Sequence, residues 1–169
     1  ATVVAAAARI EAPFARSGGE NSYSLHAELQ EVTHNLVGII RTGSELKDAI
    51  AKIADIRKRS ANVAVSGGRK FNPGFHLAFD LDNMLLVAES TAKSAIGREE
   101  SRGGHTRDDF PGMDMGWRQH NHISSFDGTQ VTVRKQALPF MPKELFSLFD
   151  VEELKKYMTP DEVAKGGSN

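Results

Sequence analysis

The chain has 169 residues, no cysteine, and 21 basic against 22 acidic side chains, which gives a formal net charge of −1. This length allows one ordinary domain, since domains cluster near ~100–150 residues. The lack of cysteine excludes disulfide scaffolds, cysteine zinc fingers, iron–sulfur ligation and thiol catalysis. The balanced charge argues against a nucleic-acid partner, because dedicated nucleic-acid binders are usually clearly basic. The longest apolar stretch, residues 3–8, is far shorter than the ~20 residues that cross a bilayer.

The N-terminal segment, residues 1–20, is rich in alanine and is interrupted by Pro13 and by Ser17-Gly18-Gly19. Residues 5–10 have helical propensity, but the interruptions predict a linker or a frayed terminus. The chain begins at Ala1 rather than at a methionine. We expect from this either processing or excision from a longer protein.

Three amphipathic helices are predicted, over residues 21–41, 42–60 and 73–101. In each of them apolar residues recur at three- and four-residue steps and form one stripe. Thr42-x-x-Glu45 is a capping-box sequence that begins the second helix, and Asn72-Pro73 places an N-cap residue before a first-turn proline. Such helices, joined by short connections, predict a mainly α fold with an antiparallel three-helix bundle over residues 21–102.

The segment 103–160 has a different character and predicts a loop-rich C-terminal extension. A β-hairpin is expected over residues 123–134, with a two-residue turn at Asp127-Gly128. Short helices are expected at 143–149 and 151–158. Residues 161–169 are expected to form a disordered tail.

Several local patterns suggest ligands but favour ordinary structure. His105, His120 and His122 could supply three zinc ligands, yet no fourth ligand is evident, so hydrogen-bonded or surface histidines are expected. The sequence Ser66-Gly67-Gly68-Arg69-Lys70 lacks the spacing of a phosphate-binding P-loop and predicts a turn. Residues 41–70 carry eight basic and three acidic side chains. This excess predicts an exposed charged face, with an acidic partner or a membrane surface as the alternative.

The segment 98–111 combines basic and acidic residues at high density around Gly103-Gly104. This density predicts a hydrogen-bonded ion network. Exposed ion pairs contribute only ~0–1 kcal/mol each, so such a network has most effect when it is buried against another surface. The segment is therefore interpreted as an interface rather than as an active site.

Residues 100–111, ESRGGHTRDDFP, resemble the E-S-R-G-x-H-x-R-x-D-x-P signature of the succinate dehydrogenase/fumarate reductase flavoprotein family, in its C-terminal domain. Residues 25–41 resemble the first helix of that domain. The resemblance implies a spectrin-repeat-like three-helix bundle with a small β-hairpin-containing extension. It also implies an interdomain interface near the flavin domain, formed by Glu100, Ser101, Arg102, His105, Arg107 and Asp109. Gly104 stands where the family commonly has alanine.

The resemblance further implies that the parent protein is an enzyme that oxidises succinate to fumarate, or the reverse. Its FAD would pass electrons to an iron–sulfur subunit, and its catalytic residues would lie in upstream flavin-binding and capping domains. No catalytic, cofactor-binding or metal-binding residue is carried over to this chain, which is expected to be inactive alone. The parent is expected to be cytoplasmic and to meet the inner face of the membrane only through other subunits.

Two alternatives remain open at this point. The chain could be a stand-alone helical adaptor that binds a protein partner through the 98–111 segment and the basic 41–70 face. It could also be the equivalent domain of L-aspartate oxidase, which with adenylylsulfate reductase belongs to the same superfamily. The sequence does not distinguish succinate oxidation from fumarate reduction.

Overall fold

A computed structural model describes residues 2–139 and 141–166 of the chain. Its centre is a bundle of three helices, α2 (Ser22–Leu36), α3 (Gly43–Ser60) and α4 (Pro73–Gly97), each of which packs against the other two. This confirms the predicted mainly α fold and its three-helix bundle. The buried stripes of the helices make the core, which contains Leu25, Leu29, Val32, Leu46, Ala49, Ile53, Ile56, Leu81, Leu85, Ala88, Ala92 and Ala95.

The three helices begin where the sequence predicted, because a side-chain cap lies at each start. The Asn21 side chain accepts a hydrogen bond from the Tyr23 N–H at 2.8 Å, and Asn72 accepts one from the Phe75 N–H at 3.0 Å. Thr42 forms the predicted capping box with Glu45. These bonds satisfy N–H groups that have no partner within the helix.

The first and third helices end earlier than predicted. α2 stops at Leu36 rather than at Arg41, and the chain then forms the short strand β1 (Ile40–Arg41). The apolar stripe that suggested a longer helix includes Ile39 and Ile40, which are 68% and 66% exposed. α4 ends at Gly97 rather than near Ser101, because the following residues turn back across the end of the bundle.

The N-terminal segment differs from the predicted linker, since Thr2–Ala15 forms a continuous helix, α1. Pro13 lies in its last turn, where it removes one intrahelical hydrogen bond, and the helix ends two residues later. Phe14 contacts Phe75 of α4 with ring centroids 4.9 Å apart, and the Val65 N–H donates to the Pro13 carbonyl at 2.9 Å. Tertiary contacts therefore anchor a segment whose local sequence suggested fraying.

The C-terminal extension contains β2 (Thr106–Arg107), a 3₁₀ turn (Met115–Gln119), the hairpin strands β3 (His120–Phe126) and β4 (Val131–Ala137), and the short helices α5 (Lys143–Phe146), α6 (Val151–Leu154) and α7 (Pro160–Lys165). The hairpin is longer than predicted and packs on α4. Its connection has four residues, not two, because the Asp127 carboxylate accepts hydrogen bonds from the N–H groups of Thr129 and Gln130 at 2.8 and 2.9 Å.

The end of the chain also departs from the prediction. α5 and α6 are shorter than expected, and α7 forms within the predicted disordered tail. A capping box between Thr159 and Glu162 begins α7, and Arg118 pairs with Glu162 to hold it against the extension. Residues 167–169 of that predicted tail lie outside the described residues. Within residues 2–139 and 141–166, no helix has the length and apolar character needed to cross a membrane.

Candidate functional site

The signature loop, defined here as residues 98–111, closes the end of the bundle where α4 finishes and α3 begins. Its strand β2 pairs in parallel with β1. The Thr106 N–H donates to the Ile39 carbonyl at 3.0 Å, and the Asp108 N–H donates to the Arg41 carbonyl at 3.1 Å. The early end of α2 is what makes this possible, because it leaves extended backbone for the loop to join.

Arg107 lies at the centre of the loop and is almost completely buried. Its Nη1 donates to the carbonyls of Ala95 and Ile96, both at 3.1 Å, so the guanidinium caps the C-terminal end of α4. Nε and Nη2 form a bidentate pair with the two Asp109 carboxylate oxygens at 2.8 Å each. The hydrogen bonds that Arg107 donates to Asp109 raise the pKa of Arg107.

Asp109 extends this connection to a second helix end. Its Oδ2 accepts a hydrogen bond from the Gly43 N–H at 2.9 Å, at the first residue of α3. A carboxylate is stabilised there by the positive end of the helix dipole. The Arg107 guanidinium, followed by the Gly43 N–H, holds the pKa of Asp109 well below its usual range. One ion pair thus joins the end of α4 to the start of α3.

Glu100 is the second buried charge of the loop and is fully inaccessible to solvent. Its carboxylate accepts hydrogen bonds from Nε of Arg98 at 2.8 Å, Nε of Arg102 at 3.1 Å and the Asp114 N–H at 2.9 Å. Burial alone would raise the pKa of Glu100. The bonds from Arg102, Asp114 and Arg98 outweigh burial and lower the pKa to about 2. Glu100 is therefore ionised in the folded chain, and its negative charge is compensated by its arginine partners and the Asp114 N–H.

Ser101 and His105 fix the backbone of the loop. Ser101 Oγ accepts from the Arg107 N–H at 2.9 Å and donates to the Phe110 carbonyl at 2.8 Å. His105 Nδ1 lies 2.6 Å from Nη2 of Arg41, and its Nε2 lies 2.9 Å from the Arg98 carbonyl. Since a guanidinium only donates, Nδ1 accepts and the proton resides on Nε2.

The structure thus brings together all six residues named from the signature: Glu100, Ser101, Arg102, His105, Arg107 and Asp109. The predicted ion network is present, but the partners of its buried charges come from within the chain. Exposed apolar side chains in the loop, in the segment that pairs with it and just after it are here called the apolar rim. The rim comprises Ile39, Ile40, Phe110, Met113 and Met115.

Three further residues of this site do not stand out in the sequence. Arg41 was predicted to end the first helix, Gly43 to lie at the start of the second, and Asp114 to lie in the loop-rich extension. The signal for Arg41 was present in the resemblance, since it closes the segment 25–41. Its contact with His105 nevertheless joins residues 64 positions apart in the sequence, which no local pattern encodes.

The histidines proposed as possible zinc ligands are engaged separately. His120 Nδ1 contacts the Gly116 carbonyl at 2.9 Å, and His122 stands edge-on to Trp117 with ring centroids 5.0 Å apart. In the part of the chain that the structure describes, no three histidine, cysteine or carboxylate side chains are grouped to hold a metal ion.

Three of the eight basic side chains of residues 41–70 pair with acids, most of them from other elements. Arg57 pairs with Glu89 at 2.6 Å, and Arg69 pairs with Glu11. Arg59 contacts three carboxylates, those of Glu20, Glu28 and Asp55. These arginines therefore act in packing the helices together, and they do not form one continuous basic face.

Comparison with known proteins gives a consistent result. Residues 26–155 match the family described as fumarate reductase flavoprotein C-term. Among curated relatives, an uncharacterised FAD-dependent oxidoreductase of Methanocaldococcus jannaschii is 41% identical over 101 residues, covering 60% of this chain and 18% of that protein. A succinate dehydrogenase flavoprotein subunit of Rickettsia bellii is 31% identical over 136 residues, covering 79% of this chain and 22% of that protein.

Solved structures extend the similarity over nearly the whole chain. A chain of the Mycobacterium smegmatis Sdh1 complex in the apo form matches with a TM-score of 0.83 and 45% identity, covering 97% of this chain and 29% of that one. A chain of E. coli quinol fumarate reductase shares the fold, with a TM-score of 0.74 at 24% identity over 81% of this chain and 24% of that one. This chain spans only about a fifth of the curated relatives described above. With its family match over most of its length and its signature loop in place, the chain belongs to the fumarate reductase flavoprotein C-terminal domain family.

Proposed function

We propose that this chain is the C-terminal helical domain of a flavoprotein subunit that interconverts succinate and fumarate. The observation that carries the proposal is the 45% identity over 97% of the chain with a chain of the Mycobacterium smegmatis Sdh1 complex. A fumarate reductase flavoprotein subunit of Mycobacterium tuberculosis supports it, at 35% identity over 111 residues. In this proposal the redox chemistry belongs to the remainder of the flavoprotein, and this domain is a structural and docking module.

The residues of this chain do not fit FAD. The sequence contains no G-x-G-x-x-G fingerprint, which normally holds the pyrophosphate of a dinucleotide. The apolar groove between α2 and α4 is lined by helical residues such as Leu29, Met84 and Val87. Their N–H groups lie within helices and offer no cradle to a phosphate. FAD would therefore be held by the other domains, and no chemical step is assigned to this one.

Docking would use the signature loop and its apolar rim. Because Arg107 and Glu100 are satisfied inside the chain, an approaching domain would not have to desolvate unpaired charges. The same network fixes the backbone that carries Phe110 and pairs with Ile40, so the apolar rim is preorganised. Contiguous exposed apolar side chains commonly mark interaction surfaces. The partners in this proposal are the flavin-binding and capping domains of the same subunit.

The wider assembly follows from the same proposal. The flavoprotein would pass electrons from FAD to an iron–sulfur subunit and would lie at the cytoplasmic face of the membrane. It would reach the membrane only through other subunits of the complex. The direction of the reaction would be determined by those partners and their electron acceptor, and not by this domain.

Spectroscopy of the purified chain tests whether the flavin and the redox chemistry belong to the other domains. We expect no absorbance in the visible bands of bound flavin and no succinate-dependent reduction of an artificial dye. Bound flavin or dye reduction in the chain alone would contradict the assignment of a purely structural and docking role. Circular dichroism on the same sample verifies that the helices are formed.

A further inference from the structure

A basic cleft is formed by three residues of the signature loop together with the side of α4, Arg41 and the hairpin. Its volume is about 500 Å³. The positively charged and imidazole side chains that line it are Arg41, Arg98, Arg102, His105 and His122. The rest of the lining comes from residues of α4 between Ser90 and Ala95.

The cleft has an excess of positive charge. Among the described residues that line it, three are arginines and none is acidic. Glu100 compensates part of this charge by pairing with Arg98 and Arg102 from a fully buried position. One carboxylate against three guanidinium groups leaves an excess of about two positive charges around the cleft.

The positive charge of the cleft helps to lower the pKa values of its two histidines, His105 and His122. Burial lowers the pKa of His105, and the charges of Arg41, Arg98 and Arg107 lower it further, although the hydrogen bond to the Arg98 carbonyl opposes them. Burial also lowers the pKa of His122, as do the charges of Arg98 and Lys135. The His105 N–H already bonds to the Arg98 carbonyl and His122 bonds to the backbone of Ser94, so the two rings report on the charge of the cleft and do not supply free donors.

Arg41 carries an unused donor. Its Nη1 bonds to the carbonyls of Val37 and Gly38 at 2.9 Å each, and its Nη2 contacts His105. Its Nε is one of two buried side-chain nitrogens or oxygens without a hydrogen-bond partner in the described chain. Buried donors without a partner are rare in proteins, and such an atom often bonds to an ion or a water.

The geometry points to a binding site in this cleft for a small oxyanion, such as a dicarboxylate or phosphate. Guanidinium groups bind carboxylate and phosphate oxygens through charge-assisted hydrogen bonds. The His105 and His122 rings line the same space, next to the three guanidinium groups. The site is distinct from the apolar rim and does not depend on the proposed flavoprotein function.

Histidine NMR of the 169-residue chain tests this site directly. Inorganic phosphate and succinate are titrated separately at pH 7, with sodium chloride holding the ionic strength constant. We expect saturable shifts of the His105 and His122 imidazole signals, with half-saturation near ~1 mM, and an upward pKa change for both. His34 and His76, which are exposed and lie outside the cleft, serve as internal controls and are expected to remain unchanged.

The two titrations identify the anion. Saturation by succinate alone assigns the cleft to dicarboxylates, and saturation by phosphate alone assigns it to phosphate groups. Trp117, the only tryptophan, gives a second signal, since it contacts His122 and lies 5.5 Å from the Arg98 guanidinium. Its fluorescence is expected to saturate at the same anion concentration as the histidine shifts.

Charge-removing variants locate the site. Arg102→Gln is expected to weaken anion binding about tenfold, whereas the exposed Lys58→Gln should change it less than about twofold. Arg98→Gln is the second cleft variant, and circular dichroism checks that each is folded. The proposal is overturned if the His105 and His122 signals of the unmodified chain fail to saturate with either anion, or move in parallel with those of His34 and His76.

Discussion

Arg107 joins two helix ends through one planar guanidinium. It caps the carbonyls of Ala95 and Ile96 with one nitrogen and holds Asp109 with the other two. A lysine has the same charge but only one ammonium group, which cannot reach both sets of acceptors in fixed geometry. The planar geometry of arginine, rather than its charge alone, is therefore what the fold requires here.

Replacing Arg107 with lysine should accordingly be costly. We expect Arg107→Lys to lower the free energy of unfolding by ~3 kcal/mol, because a buried carbonyl cluster and a paired carboxylate lose their donors. Urea unfolding followed by circular dichroism measures the change. The matched control is Arg134→Lys on the exposed strand β4, expected within ~0.5 kcal/mol of the parent. Equal effects of the two substitutions would show that Arg107 contributes only its charge.

Glu100 makes the free energy of unfolding of the chain depend on pH. Its pKa is about 2 in the folded protein against an ordinary 4.5, so the unfolded chain binds the proton more readily. The stabilisation from Glu100 is fully present above pH ~4.5 and is lost as the pH falls towards ~2. For this buried group the loss is ~3 kcal/mol. Asp109 and Glu162 act in the same direction, since the pKa of each is lowered.

The contribution of Glu100 can be separated from the others by substitution. We expect Glu100→Gln to be less stable than the parent at pH 7 and to lose less stability between pH 5 and pH 3. Urea midpoints at a series of pH values give both quantities. Glu99→Gln, at the exposed neighbouring position, provides the control. An unchanged pH slope in Glu100→Gln would mean that this carboxylate is not the group that titrates.

At the scale of whole elements, amphipathic periodicity predicted the bundle well. Each helix of the bundle has its own cap and stripe, so local sequence contains the information. The helix ends were harder to predict, because β1 and the end of α4 are fixed by partners far along the chain, including Thr106 and Arg107. The same reason applies to α1, which is anchored by the contact between Phe14 and Phe75.

The candidate site was predicted in part. The signature identified its six residues and their charge network, because the motif is contiguous. The burial of Glu100, the cap on α4 and the role of Arg41 could not be predicted, since they depend on how the loop folds back over the bundle. The function of the loop as an interdomain surface remains a prediction.

The start of α3 offers a test of how closely the signature loop packs on it. A Cβ at Gly43 would lie 2.9 Å from Nη2 of Arg107 and 3.0 Å from Oδ2 of Asp109. We expect Gly43→Ala to destabilise the chain by ~1–2 kcal/mol in thermal or urea unfolding, despite the better helix propensity of alanine. Gly104→Ala is the matched control, because nothing lies within 4 Å of its added Cβ. A neutral or stabilising Gly43→Ala would contradict the packing described.

In the whole molecule, the ion network of the signature loop and the apolar rim are proposed to have different functions. The charges of the signature loop stabilise the domain, and the exposed apolar side chains beside them are proposed to meet the rest of the flavoprotein. Substitutions in these two groups should therefore have different consequences in the isolated domain and in the full subunit.

Ile40 tests the docking role of the apolar rim. It is 66% exposed, so Ile40→Ser should change the unfolding free energy of the isolated chain by less than ~0.5 kcal/mol. In a full-length flavoprotein carrying this domain, the same change should lower the melting temperature and increase protease cleavage between the domains. Phe71→Ser is the control, since Phe71 is 99% exposed in the connector between α3 and α4. Equal effects of both substitutions in the full-length protein would argue against docking through the rim.

The central claim is that this chain serves as the C-terminal domain of a succinate- or fumarate-converting flavoprotein. The most direct measurement uses a chimera in which this chain replaces the matching segment of the Mycobacterium smegmatis Sdh1 chain, with which it is 45% identical. The chimera is assayed for bound FAD and for succinate-dependent dye reduction. We expect stoichiometric FAD and activity within about tenfold of the parent. A tenfold change in rate corresponds to ~1.4 kcal/mol in activation free energy, which allows for imperfect packing at the new interface. A folded chimera without FAD or activity would contradict the claim.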